Sequence, residues 1–102
     1  MSETPGKWVM LNVTIDGVNQ RNIFGTSYGG YAGSDSWRLS SPIVTVEKEY
    51  NFYIFITKSG NKYYCHENNY GVAGAYNQYI LDNFMSNSKH DIEILDSETI
   101  FI

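Results

Sequence analysis

The run Trp8-Val9-Met10-Leu11-Asn12-Val13-Thr14-Ile15, closed by Asp16-Gly17 and followed by Val18-Asn19-Gln20-Arg21-Asn22-Ile23-Phe24, has the pattern of a β-hairpin. Val9, Leu11, Val13 and Ile15 alternate with a mixed set of neighbours, the period of two that marks a half-buried strand. A type I′ turn needs positive φ at both central positions, which Asp tolerates and Gly adopts freely. The chain is therefore expected to double back at Asp16-Gly17 and continue as a second strand to Phe24.

Downstream, Gly25 to Ser36 contains four glycines and no aliphatic side chain larger than Ala, so it reads as a loop. Loops this long in a small domain are commonly functional. Trp37 to Pro42 and Ile43 to Val46 read as one interrupted strand with Trp37 packed inward, because Pro42 has no donor for a ladder and forces a bulge or an edge. Glu47-Lys48-Glu49 reads as a charged turn, Tyr50 to Thr57 as the central strand, and Lys62 to His66 as its hairpin partner across the Lys58–Asn61 turn. Asn68-Asn69-Tyr70-Gly71 breaks the pattern. Tyr76, Tyr79, Ile80 and Phe84 then recur at spacings of three and four, which predicts one helix at about 74–86 with Tyr76 on its buried face. Asp91 to Leu95 and Thr99 to Ile102 supply one or two closing strands.

Strands, then a helix, then strands argue for an α+β fold: a mainly antiparallel sheet of five to six strands packed against one α-helix. The expected core is Val9, Leu11, Val13, Phe52, Ile54, Ile56, Ile80, Phe84, Ile92 and Ile94. With 102 residues the chain is long enough for one domain, 1–102, and too short for two. Residues 1–6 are expected to be a flexible N-terminus.

The charge balance narrows the function classes. Seven Lys and Arg against eleven Asp and Glu give a net charge of −4, which argues against binding the phosphates of duplex nucleic acid. Asp82, Asp91, Glu93, Asp96 and Glu98 make the C-terminal region acidic, but Ile and Leu between them space the charges as on a solvated strand. Met1 to Lys7 has no signal-peptide pattern, the single Cys65 can form no internal disulfide, and no apolar run is long enough to span a bilayer. These features predict a cytoplasmic protein with no membrane partner.

Few residues suggest chemistry. Cys65-His66-Glu67 resembles a thiol beside its base, but adjacent strand residues point to opposite faces, so Cys65 is expected to be structural. A pairing of Cys65 with His90 in space stays open. One Cys and two His without paired ligand spacing predict no metal site, and no phosphate-cradling glycine motif predicts a cofactor. Asp35, just before Trp37 and Arg38, suits a turn or an ion pair with Arg38.

Recognition surfaces remain. Tyr28, Tyr31, Asp35, Trp37 and Arg38 in one segment, and Asn68, Asn69 and Tyr70 in another, combine large rings with small polar neighbours, the mix that binding loops use. The expectation is a non-enzymatic module that binds another protein through these Tyr/Gly-rich loops and the acidic C-terminal region. Short acidic chains without a catalytic signature include adaptors, immunity proteins and inhibitors or accessory factors of phage or mobile-element type. A second copy of the chain is a further potential partner. The alternative is a small-ligand protein that stacks a sugar or base on Tyr or Trp and hydrogen-bonds it through Asn and Ser.

Overall fold

The computed structural model describes residues 2–27 and 36–96. Among these, the chain forms β1 (Ser2–Glu3), β2 (Lys7–Ile15), β3 (Val18–Ser27), β4 (Ser36–Leu39), β5 (Ile43–Glu49), β6 (Phe52–Thr57), β7 (Lys62–His66), α1 (Ala75–Asn87) and β8 (Asp91–Ile94). The class is α+β, but the strands make two four-stranded sheets, ordered β1-β7-β6-β5 and β4-β3-β2-β8. The expected single sheet of five to six strands is thus corrected. The pairing is antiparallel except for β1, whose Ser2 and Glu3, within the segment read as a flexible N-terminus, run parallel to Lys62 and Tyr63 of β7.

The β2–β3 hairpin forms as its sequence demands, with Ile15 paired to Val18 and positive φ at both Asp16 and Gly17. What alternation alone did not reveal is that β2 is buried on both faces. Trp8 and Met10, with Ile23 of β3, pack on Phe55, Tyr63 and Cys65 of the other sheet. Val9, Leu11 and Val13, with Phe24, pack on Leu81 of α1. The β2–β3 sheet is therefore the middle layer, between the second sheet and the helix.

The break at Ser40-Ser41-Pro42 lies between the two sheets. Asn22 Nδ2 donates to Ser40 O at 2.8 Å, Ile23 N donates to Ser40 Oγ at 2.8 Å, and Lys58 N donates to Pro42 O at 2.8 Å. The supposed interrupted strand is two strands, β4 ending on one sheet and β5 starting the other. Between Ile43 and Thr45 the register against β6 shifts, so a bulge opens β5. β5, β6 and β7 form a meander with β6 central and β7 as its hairpin partner, as expected, and the residues read as a charged turn, Glu47-Lys48-Glu49, are the end of β5.

Helix α1 buries a different face from the one the tyrosines suggested. Asn77 and Leu81, one turn apart, are fully buried, whereas Tyr76 and Tyr79 are exposed. Asn77 Nδ2 explains its own burial: it donates to Ser36 O at 3.1 Å and to Ala73 O at 2.7 Å, joining the start of β4 to the residues before the helix. Val9, Leu11, Val13 and Ile54 are buried as expected; Phe52, Ile56, Ile80 and Ile92 are half-buried, and Phe84 and Ile94 are exposed. Helix and β8 lie at the rim, where little covers their outer sides. No helix of the described residues is long and apolar enough to cross a membrane.

Candidate functional site

Of the residues singled out for recognition, Tyr28, Tyr31 and Asp35 lie outside the described residues. The others do not converge. Tyr70 bridges to Trp8, Trp8 pairs with Gly25, and Gly25 pairs with Arg38, so one row crosses the middle sheet with Tyr70 at one end and Arg38 at the other. Three strand spacings of ~4.8 Å separate them.

Tyr70 is a packing residue. Its ring meets Trp8 edge-on at 4.8 Å between centroids, and its hydroxyl accepts from Met10 N at 3.0 Å while donating to the Leu95 carbonyl. Asn68 and Asn69 are exposed beside it; Asn68 N donates to His66 Nδ1 at 3.1 Å, and Asn69 O accepts from Trp8 N at 3.1 Å. The side chains of both asparagines face solvent on a turn whose backbone is fixed.

Next to that turn stands a residue the sequence reading missed. Tyr50, at the tip of the β5–β6 hairpin, is 89% exposed and has φ +54°. Positive φ is an outlier for a bulky side chain, and Gly or Asn ordinarily fills such a position. The tip is braced: Glu67 N donates to Asn51 O at 2.8 Å, Lys48 pairs with Glu67 at 3.0 Å and lies 4.9 Å over the Tyr53 ring. Glu47 and Glu49 are exposed on the same hairpin. The signal was present, since Tyr-Asn follows three charged residues, but Tyr50 looked like the first residue of a strand.

Trp37 and Arg38 sit on the edge strand β4. Trp37 stacks on Phe24, centroids 5.7 Å apart, yet remains 44% exposed, so the expectation of an inward ring is corrected. It lies on the helix side of the sheet, at the margin, where no described strand covers it. Trp37→Ala is accordingly expected to cost about 1–2 kcal/mol, little more than the value of one aromatic pair, as read by urea denaturation. Arg38 points the other way. Its guanidinium pairs with Glu3 of β1 at 3.4 Å and hydrogen-bonds the Tyr63 hydroxyl, spanning the edges of the two sheets. A cleft of about 190 Å³ opens there, lined by Glu3, Pro5, Gly25, Ser27, Ser36 and Arg38 among others.

Cys65 is no nucleophile in this setting. It is fully buried on the inner face, paired with Tyr53, while His66 pairs with Phe52 on the outer face and His90 is exposed. Burial pushes the Cys65 thiol far above its usual range, and burial likewise raises the Tyr63 and Tyr70 phenols. The unfolded chain releases the cysteine proton above about pH 8.5 while the folded chain keeps it. Protons bound in the folded state then exceed those in the unfolded state, so stability is expected to fall as pH rises past that value. Denaturation midpoints should hold up to about pH 8 and fall from there to about pH 10, and Cys65→Ala should flatten the first part of the decline.

Among the described residues no group of three or more His, Cys, Asp or Glu is placed to hold a metal ion. Comparison with protein-family models, curated proteins and solved structures gives no match.

Proposed function

We propose that the chain is a non-enzymatic module that binds another protein, with Tyr50 at the β5–β6 tip as the anchor and Asn51, Asn68 and Asn69 as its polar surround. The observation that carries this reading is the conformation of Tyr50 itself. A ring that buries almost nothing within its own chain, held at a backbone angle that Gly would adopt without penalty, gives folding nothing in return. Rigid, projecting tyrosines are common binding hot spots because they bring large area at small entropic cost. The exposed carboxylates Glu47 and Glu49 favour a partner whose recess is rimmed by Lys or Arg. Trp37, half exposed at the opposite margin, is available for a second contact.

Tyr50→Gly separates binding from folding. Removing the ring and the strain together should leave stability unchanged or raise it by up to about 1 kcal/mol. The same change should weaken capture of the partner by about 1–3 kcal/mol if the ring is a hot spot. Immobilised wild-type and variant chains, compared for the proteins they retain and then for affinity to the purified partner, read the second effect. Equal retention by Tyr50→Gly, or a clear loss of stability, would sink the proposal.

A further inference from the structure

We propose that the cleft between β1 and β4 binds a free α-amino acid, taking its ammonium on Glu3 and its carboxylate on Arg38. The cleft presents one negative and one positive group side by side, on two different sheets, with hydroxyls around them. Ser27 and Ser36 face each other across β3 and β4 on the same side as Arg38, and Thr4 and the Tyr63 hydroxyl also line the space. A simple anion would meet Glu3, and a simple cation would meet Arg38. A ligand whose opposite charges are one carbon apart satisfies both, and the 3.4 Å between Glu3 Oε1 and Arg38 Nη1 suits that spacing.

The ion pair does not bar entry. At 3.4 Å it is longer than the ~2.7–2.9 Å of a close charge-assisted bond. The Arg38 side chain is more than half exposed, and pairs so exposed hold their partners weakly. A guanidinium carries five N–H donors in a fixed fork, more than Glu3 and Tyr63 use. Gly25 lets Pro5 pack closely on β3: a Cβ there would lie 3.0 Å from Pro5 Cβ, so Pro5 would have to give by a few tenths of an ångström. About 190 Å³ accommodates a small amino acid. The site is independent of the Tyr50 contact, since β1 and β5 are the opposite edges of one sheet.

The test is a titration of the isotope-labelled full chain, followed by the backbone amide signals of Gly25, Ser27, Ser36 and Arg38. The probes are glycine, L-alanine, N-acetylglycine, glycine methyl ester and inorganic phosphate. Glycine and alanine should shift these signals with affinity of about millimolar, as suits so few ligand atoms. N-acetylglycine, which lacks the ammonium, and the methyl ester, which lacks the carboxylate, should bind at least about fivefold more weakly. Glu3→Gln should reverse the preference toward N-acetylglycine, and Arg38→Gln toward the methyl ester; signals elsewhere report that each variant is folded. Phosphate or N-acetylglycine binding wild type as well as glycine would overturn the proposal. So would no response to glycine or alanine at about 50 mM, or folded variants whose preferences do not reverse. If both variants unfold, the wild-type selectivity alone decides.

Discussion

Trp8→Ala is expected to destabilise the protein by about 3–5 kcal/mol, the upper range for truncating a buried aromatic. The indole is 1% exposed and meets three rings: Tyr53 edge-on at 6.1 Å, Phe55 tilted at 5.4 Å and Tyr70 edge-on at 4.8 Å. Two of these belong to the second sheet and one to the turn before the helix, so a single side chain joins three parts of the fold. Its Nε1 also donates to His66 O at 2.8 Å. Truncation would leave a cavity and remove one of the two hydrogen bonds that His66 O accepts, the other coming from Asn69 N at 3.0 Å. Trp8→Phe keeps most of the ring and loses the N–H, so it should fall clearly short of Trp8→Ala. Urea unfolding followed by circular dichroism reads both; equal losses would mean that the hydrogen bond dominates and the packing argument is wrong.

Leu81→Ala is expected to cost about 2–5 kcal/mol and to do so locally. Besides Leu81, helix α1 is held by the Asn77 hydrogen bonds and by half-buried Ile80 and Met85. Its N-cap is Gly74 with no side-chain cap, its first turn has no acid and its last turn no base. A helix of 13 residues without caps depends on its packed face, and there Leu81 is the fully buried apolar residue, lodged with Val9, Leu11, Val13 and Phe24. Hydrogen exchange should show protection lost across residues 75–87 well before it is lost in β6. Tyr79→Ala, on the exposed side, should stay within about 0.5 kcal/mol of wild type. Uniform loss of protection after Leu81→Ala would show that helix and sheets open as one unit.

The local elements were legible because each has a local cause. Asp16-Gly17 specifies its turn by φ alone, the meander from Ile43 to His66 is dense in β-branched and aromatic residues, and the helix announces itself by spacing. The assembly of those elements was not legible, for two physical reasons. Alternation records only whether one face is apolar, and β2 carries apolar residues on both, so Trp8 and Met10 looked like the mixed face when they belong to a second core. Pro42 explains where a ladder stops but not that the chain changes sheets there. On the helix, four aromatic and aliphatic residues outweighed Leu81, because the burial of Asn77 depends on two backbone carbonyls that no pattern reveals. Tyr50 was hidden for a similar reason, since its composition is that of a strand and its backbone is that of a turn.

The double burial of β2 bears on how this protein can diverge. Residues 8–11 are all buried, two against one layer and two against the other, so no position among them accepts a polar side chain without loss in one core. The hairpin tips at Asp16-Gly17 and Tyr50-Asn51 carry no burial restriction, only the positive φ that Asp16, Gly17 and Tyr50 adopt. Descendants of this chain should therefore share the character of four successive residues near the N-terminus and differ most at the tips, so that a change of partner would leave the interior untouched.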